Sequence, residues 1–307
     1  MNKHLTVSLM KACILGHAVG DALGVPVEFS RRETLDQDPV TNMRGYGTYG
    51  MPAGSWSDDT GMTLCALSSL AEEAFSWDSV MENFGKWYFE DHFTPTGVTF
   101  DVGGTCANAI TAYFAGEKDI TRCGRCGERD NGNGALMRII PFALYAPDDL
   151  PFIETASALT HAHRRSQIAC GIYSLILDAL LSDRSKDAVY RGLARAESRY
   201  AGESDWRFFE PLASLDERSR ESINSGGYVV STLEAALWCL LHTDSYRDCV
   251  LQAVNLGSDT DTTAAVAGGL AGALYGYDAI PTEWLETLAK RNEIEALCDR
   301  AFARWNR

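Results

Sequence analysis

The chain has 307 residues, of which 46% are hydrophobic and 22% are charged, a composition typical of a folded globular protein rather than a disordered one. Its 27 Lys and Arg residues against 42 Asp and Glu residues give a formal net charge of -15 at pH 7. A chain this acidic repels nucleic acids and anionic membrane surfaces, so neither is expected as a partner. A small phosphate-bearing ligand stays open, because helix N-termini, backbone amides and bound cations can reverse the potential locally.

No linker-like segment divides the chain, and we therefore expect a single domain over residues 1–307. Lys11 interrupts the apolar stretch near the N-terminus, which argues against a signal peptide. The longest apolar run, 264–275, is too short to cross a bilayer. The 9 cysteines lie mostly within apolar helical runs, where a reduced thiol acts as a small hydrophobe. We expect a cytoplasmic monomer.

Apolar residues recur at helical spacing along most of the chain, and strand-like alternation is almost absent, so an all-α fold is predicted. One short strand-like stretch occurs at 228–230, immediately before a helical run. The predicted helices cover residues 5–23, 60–75, 77–89, 106–114, 168–181, 186–200, 233–241, 262–275, 281–290 and 293–305.

A first acidic cluster, made of Ser57, Asp58, Asp59 and Thr60, stands at the start of the predicted helix 60–75. Ser57 is a good N-cap, and two aspartates in the first turn complement the helix dipole. Taken alone, the cluster is therefore compatible with an ordinary well-capped helix.

A second acidic cluster, Asp259-Thr260-Asp261-Thr262, stands at the start of the predicted helix 262–275. That helix is so rich in Ala and Gly that its start is expected to be buried. No Lys or Arg lies within ten residues of Asp259 or Asp261, so their charges need a partner from elsewhere. Carboxylate and hydroxyl oxygens are the ligands that Mg²⁺ and Mn²⁺ prefer. The two clusters together predict a metal site, provided that the two helix starts meet.

Loops rich in Gly and Asp at 45–54, 123–134 and 201–227 are expected to form the rim of the site. In the second loop, Gly132, Asn133 and Gly134 open a helical run, a geometry in which free backbone amides can hold phosphate. A plain helix start is the alternative. The third loop carries several aromatic residues, and it either covers a ligand or is a surface excursion.

Several motifs in order resemble those of the ADP-ribosylglycohydrolase family, and the resemblance spans nearly the whole chain. Ser57 stands where many members have Thr, which keeps a hydroxyl ligand. Gly103 and Gly104 follow Asp101 where some relatives carry Gly-Asn-Thr, which leaves contacts to the distal ribose open. The motifs that carry the resemblance lie at residues 16–29, 56–60, 101–105, 132–138, 159–161 and 257–262.

The resemblance implies a compact multi-helix domain with a central cleft in which two Mg²⁺ or Mn²⁺ ions assist cleavage of the bond between ADP-ribose and an acceptor. Two cations about 3.5–4 Å apart can bind ribose hydroxyls and stabilise the charge that develops at the anomeric carbon. The implied metal ligands are Ser57, Asp58, Asp59, Asp259, Asp261 and Thr262.

The resemblance also implies three catalytic carboxylates. Asp59 belongs to both the metal and the catalytic set. Asp101 is assigned to substrate positioning or proton transfer, with a helix N-cap as the alternative. Glu28 is a second candidate for acid or base work, with a solvated loop glutamate as the alternative.

The implied substrate-binding residues lie in three further segments. Gly132, Asn133 and Gly134 would cradle the diphosphate. His161 would reach the same ribose-phosphate region, with His163 as a competitor and a packing role as the alternative. Tyr228 would stack on adenine, or it is a buried tyrosine with a bonded hydroxyl.

The predicted activity is hydrolytic release of ADP-ribose from a modified protein, with arginine as the first acceptor considered. Serine-linked, nucleic-acid-linked and small-molecule ADP-ribose conjugates stay open. Two other classes also stay open: an inactive ADP-ribose-binding or structural relative, and another two-metal hydrolase acting on phosphoesters.

Overall fold

Helices make up all the regular secondary structure in a computed structural model that describes residues 3–306. No β-strand occurs within this range, although isolated bridges join Arg125 to His161 and Gly132 to Tyr228. The described chain also contains 3₁₀ helices at Val25–Val27, Asn133–Arg138, Ser204–Phe208, Glu210–Glu217, Arg220–Ser222 and Tyr277–Ala279. The α-helices are α1 Val7–Gly24, α2 Arg32–Gln37, α3 Asp58–Leu70, α4 Trp77–Glu90, α5 Gly104–Phe114, α6 Ile120–Cys123, α7 Ile140–Tyr145, α8 Leu150–Ala158, α9 Arg164–Ser182, α10 Asp187–Tyr200, α11 Val229–Leu241, α12 Tyr246–Val254, α13 Thr260–Tyr275, α14 Thr282–Thr287 and α15 Arg291–Trp305.

The predicted all-α fold is confirmed, and the helices surround one large hydrophobic core. The strand-like stretch at 228–230 forms no strand and leads into a helix, as the sequence indicates. Tyr228 makes a single bridge, and α11 begins at the next residue, where Val229 is fully buried. Burial of β-branched side chains in the core outweighs their weak preference for strands.

The helices α1 and α13 form the most extensive helix pair in the fold. Their axes approach closely because glycines face the partner backbone. A Cβ atom on Gly20 would lie 2.1 Å from the carbonyl oxygen of Ala264, and one on Gly24 would lie 2.3 Å from the Cα of Asp261. This packing fixes the first turn of α13 against the last turns of α1.

The 201–227 segment packs against the core. Trp206 and Phe209 are buried, and both line a small cavity together with residues of α10. The guanidinium of Arg165 lies over the ring of Phe208, and its Cζ atom is 3.8 Å from the centroid of that ring. None of the helices in the described range is long and apolar enough to cross a membrane.

Candidate metal centre and substrate cleft

The two acidic clusters meet in the fold, as the metal hypothesis required. Thr262 at the start of α13 donates its hydroxyl to Asp59 Oδ2 at the start of α3, over 3.3 Å. Carboxylate oxygens of Asp21, Asp59 and Asp261 all lie within 4.8 Å of one another. Two helix starts and α1 therefore bring three buried carboxylates together.

Asp21 organises the start of α3 from the side of α1. Its carboxylate accepts hydrogen bonds from the amide of Ser57 at 2.9 Å, the amide of Thr60 at 3.0 Å and the hydroxyl of Thr60 at 2.6 Å. Ser57 in turn caps α3 by accepting the amide of Asp59 at 3.3 Å. These bonds occupy Asp21 and leave the carboxylate of Asp59 directed into the cluster.

Three carboxylate oxygens in this cluster are buried and have no hydrogen-bond partner in the protein. They are Asp59 Oδ1, Asp259 Oδ1 and Asp261 Oδ2. Buried polar atoms are almost always paired, so these three unpaired anionic oxygens could serve as ligands to a cation. An all-oxygen set of this kind fits a hard divalent ion.

Burial and mutual repulsion raise the pKa of the clustered carboxyls. The pKa values of Asp58, Asp59 and Asp261 all lie well above the ordinary value, first through burial and then through neighbouring carboxylates. Burial also raises the pKa of Asp21 to about 7. A divalent cation would favour the charged form of every one of these groups.

A second carboxylate group lies beside the first. Oxygens of Glu28, Asp101 and Asp261 lie within 4.8 Å of one another. The hydroxyl of Tyr49 is 2.6 Å from Glu28 Oε2 and 2.6 Å from Asp101 Oδ1. Burial, and next the charge of Asp101, raise the pKa of Glu28 to about 9. Tyr49 therefore joins Glu28 and Asp101 in a hydrogen-bonded bridge.

The structure also decides between the alternatives for these two carboxyls. Glu28 is only 6% exposed, so it is not a solvated loop residue. Asp101 is not the cap of α5, because that position belongs to Gly103. Asp101 instead has a left-handed φ of 53°. Strain of this kind in a non-glycine residue indicates a side chain that the surrounding structure holds in place.

The turn that carries Glu28 is pinned to the loop before α13. Phe29 donates its amide to the carbonyl of Ser258 over 2.7 Å, and Ser258 donates its amide to the carbonyl of Ser30 over 2.8 Å. Phe29 and Ser258 both have a φ of 64°, in the left-handed region. This paired turn fixes Glu28 relative to Asp259.

The predicted diphosphate turn lines the same cleft. The cleft has a volume of about 300 Å³, and its walls include Gly132, Asn133, Gly134 and His161 as well as Glu28, Asp58, Asp101, Asp259 and Thr262. Asn133 donates its side-chain amide to Asp259 Oδ2 over 2.8 Å. The turn is thereby attached to the second acidic cluster. The helix that it opens, Asn133–Arg138, is a 3₁₀ helix.

The remaining predicted residues lie outside the cleft walls. Tyr228 pairs with Gly132 through the backbone, and its hydroxyl is 3.5 Å from Arg165 Nη1. His163 caps α9 by accepting the amide of Arg165, and its ring faces Glu128 at 3.3 Å. His161 therefore lies in the cleft, whereas His163 supports the helix behind it.

Two residues of the site have no predicted role in the sequence. Asp21 lies within an apolar helical run, and a lone carboxylate there is itself a signal of a buried polar site. Tyr49 lies in a glycine-rich loop where no periodicity or spacing singles it out. Only the fold brings it between Glu28 and Asp101.

Comparisons with known proteins identify the family of the chain. A model of the ADP-ribosylglycohydrolase family matches residues 3–307. ADP-ribosylarginine hydrolase Tri1 of Serratia proteamaculans is 32% identical over 302 residues, which cover 95% of this chain and 78% of that protein. ADP-ribosyl-[dinitrogen reductase] glycohydrolase of Rhodospirillum rubrum is 34% identical over 288 residues, which cover 92% and 90%.

A solved structure shares the whole architecture. This structure, an ADP-ribosylglycohydrolase-related protein complex, has a TM-score of 0.80 and 31% identity, with 97% of this chain and 98% of that chain covered. The sequence resemblance is thus confirmed over the full helical domain. The chain therefore belongs to the ADP-ribosylglycohydrolase family and is a glycohydrolase of that family.

Proposed function

We propose that the protein is a hydrolase that removes ADP-ribose from ADP-ribosylated arginine side chains and depends on divalent cations. The observation that carries the metal dependence is the set of unpaired buried oxygens on Asp59, Asp259 and Asp261. The arginine acceptor is supported by the relatives named ADP-ribosylarginine hydrolase, at 32% and 33% identity.

The ligands proposed for two Mg²⁺ or Mn²⁺ ions come from the starts of α3 and α13. When bound, the ions would neutralise the carboxylates and stabilise negative charge on ribose and water oxygens during cleavage. Thr262 and Ser57 supply neutral oxygens, which limits the repulsion among the acidic ligands. The proposed ligand set is Ser57, Asp58, Asp59, Asp259, Asp261 and Thr262.

The proton transfers are assigned to the bridge of Glu28, Tyr49 and Asp101 beside the acidic cluster. In the metal-free protein, burial and the charge of Asp101 raise the pKa of Glu28 to about 9, so that Glu28 is protonated at neutral pH. Glu28 can therefore donate to the departing guanidine nitrogen while Asp101 orients the distal ribose. Asp59 lies beneath them with its Oδ1 unpaired and directed into the cluster.

The diphosphate and the adenine of ADP-ribose are assigned to the part of the cleft that the glycine-rich turn and His161 line. Gly132, Asn133 and Gly134 border the cleft with His161, and an extended ligand between this wall and the carboxylates would place its diphosphate there. Tyr228 is joined to Gly132 through the backbone and is proposed to flank the adenine at the outer end. Cytoplasmic location, the monomeric state and the absence of nucleic-acid partners stay predictions.

The experiment follows release of ADP-ribose from an arginine-modified protein with Mg²⁺, with Mn²⁺ and with chelator. Asp59→Ala and Asp261→Ala are expected to abolish release. Asp244→Asn, whose side chain is 97% exposed and pairs with Lys186, is the matched control and should keep full activity. Release that persists with chelator or in both alanine variants would refute the mechanism.

A parallel run with a serine-linked substrate tests the acceptor. Faster release from serine than from arginine would overturn the arginine assignment but not the hydrolase. Binding of ADP-ribose without release from any linkage would instead identify an inactive ADP-ribose-binding relative.

A further inference from the structure

His161 is almost completely buried, yet its ring borders the substrate cleft. Only 2% of the residue is exposed. Burial, and next the charge of Arg138, lower the pKa of His161 to about 3. The imidazole is therefore neutral at physiological pH, and one ring nitrogen carries the single N–H proton.

Arg138 lies behind His161 as a buried cation without an anionic partner. It is fully buried, burial lowers its pKa, and no carboxylate among residues 3–306 forms an ion pair with it. Its guanidinium donates to the carbonyl of Ala156 over 3.1 Å and to Thr160 Oγ1 over 2.7 Å. A buried arginine without a carboxylate is costly, which indicates a role beyond packing.

The hydroxyl of Thr160 joins this arginine to the histidine. Thr160 is fully buried, and its Oγ1 lies 2.9 Å from His161 Nδ1. Because arginine can only donate, the threonine oxygen accepts from Arg138 and keeps its own proton to give. The other neighbour of this hydroxyl is the Cys106 thiol, a much weaker acceptor than an imidazole nitrogen. This arrangement favours donation from the hydroxyl to Nδ1, which would place the ring proton on Nε2.

The Nε2 atom faces the glycine-rich turn. A Cβ atom on Gly132 would lie 3.5 Å from Nε2, and one on Gly134 would lie 3.3 Å from it. Within the described residues no protein acceptor forms a hydrogen bond with Nε2. The ring of His161 therefore packs against the glycine-rich turn, and its Nε2 edge borders the cleft.

We propose that Arg138 and Thr160 are positioning residues, which hold His161 in the Nε2–H tautomer so that it donates to an anionic diphosphate oxygen of the substrate. The assignment rests on the proposed function, since it takes the ligand in the cleft to be an ADP-ribosyl group. The buried charge of Arg138 acts in the same direction, because it adds a positive potential behind the donor. The neutral histidine and the buried arginine behind it together favour an anion. They do so without placing a positively charged side chain beside the metal centre.

The tautomer is measured directly on the full chain with Mg²⁺ and without substrate. Long-range ¹H–¹⁵N correlation spectra of ¹⁵N-histidine-labelled protein distinguish Nε2–H from Nδ1–H. The protein has 6 His residues, and His161→Gln identifies the signal of interest. We expect the pattern of Nε2–H, and the pattern of Nδ1–H in the wild-type protein would overturn the proposal.

Two substitutions test the relay, by which we mean the hydrogen-bond chain from Arg138 through Thr160 to His161. Thr160→Val keeps the shape of the side chain but removes the hydroxyl, whereas Thr160→Ser keeps the hydroxyl. Thr160→Val is expected to remove the preference of His161 for the Nε2–H tautomer. It should also weaken ADP-ribose binding about tenfold or more, and raise KM with little change in kcat. Thr160→Ser is expected to restore the tautomer and the affinity.

The outcomes separate this inference from the hydrolase assignment. A Thr160→Val protein with the wild-type tautomer and ADP-ribose affinity would refute the relay while leaving hydrolysis intact. If Thr160→Val does not fold, the wild-type tautomer and the Thr160→Ser affinity decide the question. Wild-type protein that shows the Nε2–H pattern but binds no ADP-ribose would refute the ligand assignment.

Discussion

At the scale of single residues, the carboxylates of the cleft depend on one another and on hydroxyls rather than on basic side chains. Asp59 accepts from Ser57 and Thr262, and Asp261 accepts from the amide of Thr262. Neither forms an ion pair within residues 3–306. Bringing such groups together disfavours the metal-free fold, and a bound cation removes the repulsion.

Asp261→Asn tests this arrangement. The amide keeps the acceptor that binds Thr262 but removes one negative charge, so the metal-free protein should become more stable while the rise in Tm caused by Mg²⁺ disappears. Hydrolysis should fall about a hundredfold or more. Thermal unfolding with chelator and with Mg²⁺, together with an activity assay, checks all three effects. A variant that is less stable than wild type without metal would contradict the repulsion argument.

Tyr49→Phe tests the bridge between Glu28 and Asp101. Without the hydroxyl, Glu28 and Asp101 lose the hydrogen bonds that join them, and we expect kcat to fall about tenfold, as for one lost hydrogen bond of ~1.4 kcal/mol. Tyr46→Phe is the matched control, since Tyr46 lies on the same loop and is 76% exposed. Equal kcat values for both variants would show that the bridge plays no part in turnover.

The proposed metal ligands were easier to identify from the sequence than the residues that hold them in place. Clustered carboxylates at helix starts are visible in the sequence, because both the spacing and the residue types are local. Tyr49 and Thr160 act through contacts between distant segments, and neither residue type is unusual at its position. Their roles depend on the tertiary structure alone.

At the scale of elements, the site depends on how α1 and α13 pack. Gly20 and Gly24 allow the backbone of α13 to approach within contact distance, and the first turn of α13 carries Asp261 and Thr262. The predicted helices that formed this pair were nearly correct, because both are long and apolar. Short helices such as α2 and α12 were missed, since fewer than three turns give little periodicity.

Gly20→Ala should displace α13. Its Cβ would lie 2.1 Å from the carbonyl oxygen of Ala264, so we expect overpacking of ~1–3 kcal/mol, a fall in Tm of about 5 °C and weaker Mg²⁺ binding. Gly202→Ala, where a Cβ meets nothing within 4 Å, should leave Tm and Mg²⁺ affinity unchanged. Isothermal titration and thermal unfolding of the two variants provide the comparison. Normal Mg²⁺ affinity in a destabilised Gly20→Ala protein would separate packing from metal binding.

At the scale of the whole molecule, the raised pKa values make stability depend on pH. In the fold, burial raises the pKa of Asp21 to about 7 and that of Glu28 to about 9, whereas these groups titrate near 4 in an unfolded chain. Between these values the folded protein holds protons that the unfolded chain has released. The contribution of both groups to stability is therefore lost as pH rises from about 4 towards 9.

The metal-free protein should accordingly show a falling Tm across this pH range. Saturating Mg²⁺ should raise Tm by about 5 °C at the alkaline end and much less at the acidic end, because protonated carboxyls bind cations weakly. Thermal unfolding over pH with chelator and with Mg²⁺ measures both trends. A Mg²⁺ effect that is independent of pH would contradict the coupling of cation binding to deprotonation of the clustered carboxyls.

The paired turn at Phe29 and Ser258 links two parts of the site. Any displacement of the turn that carries Glu28 would break two backbone hydrogen bonds next to Asp259. The position of the proton-donor candidate and that of a proposed metal ligand are therefore mechanically joined. A substitution that loosens this turn is expected to change both kcat and Mg²⁺ affinity.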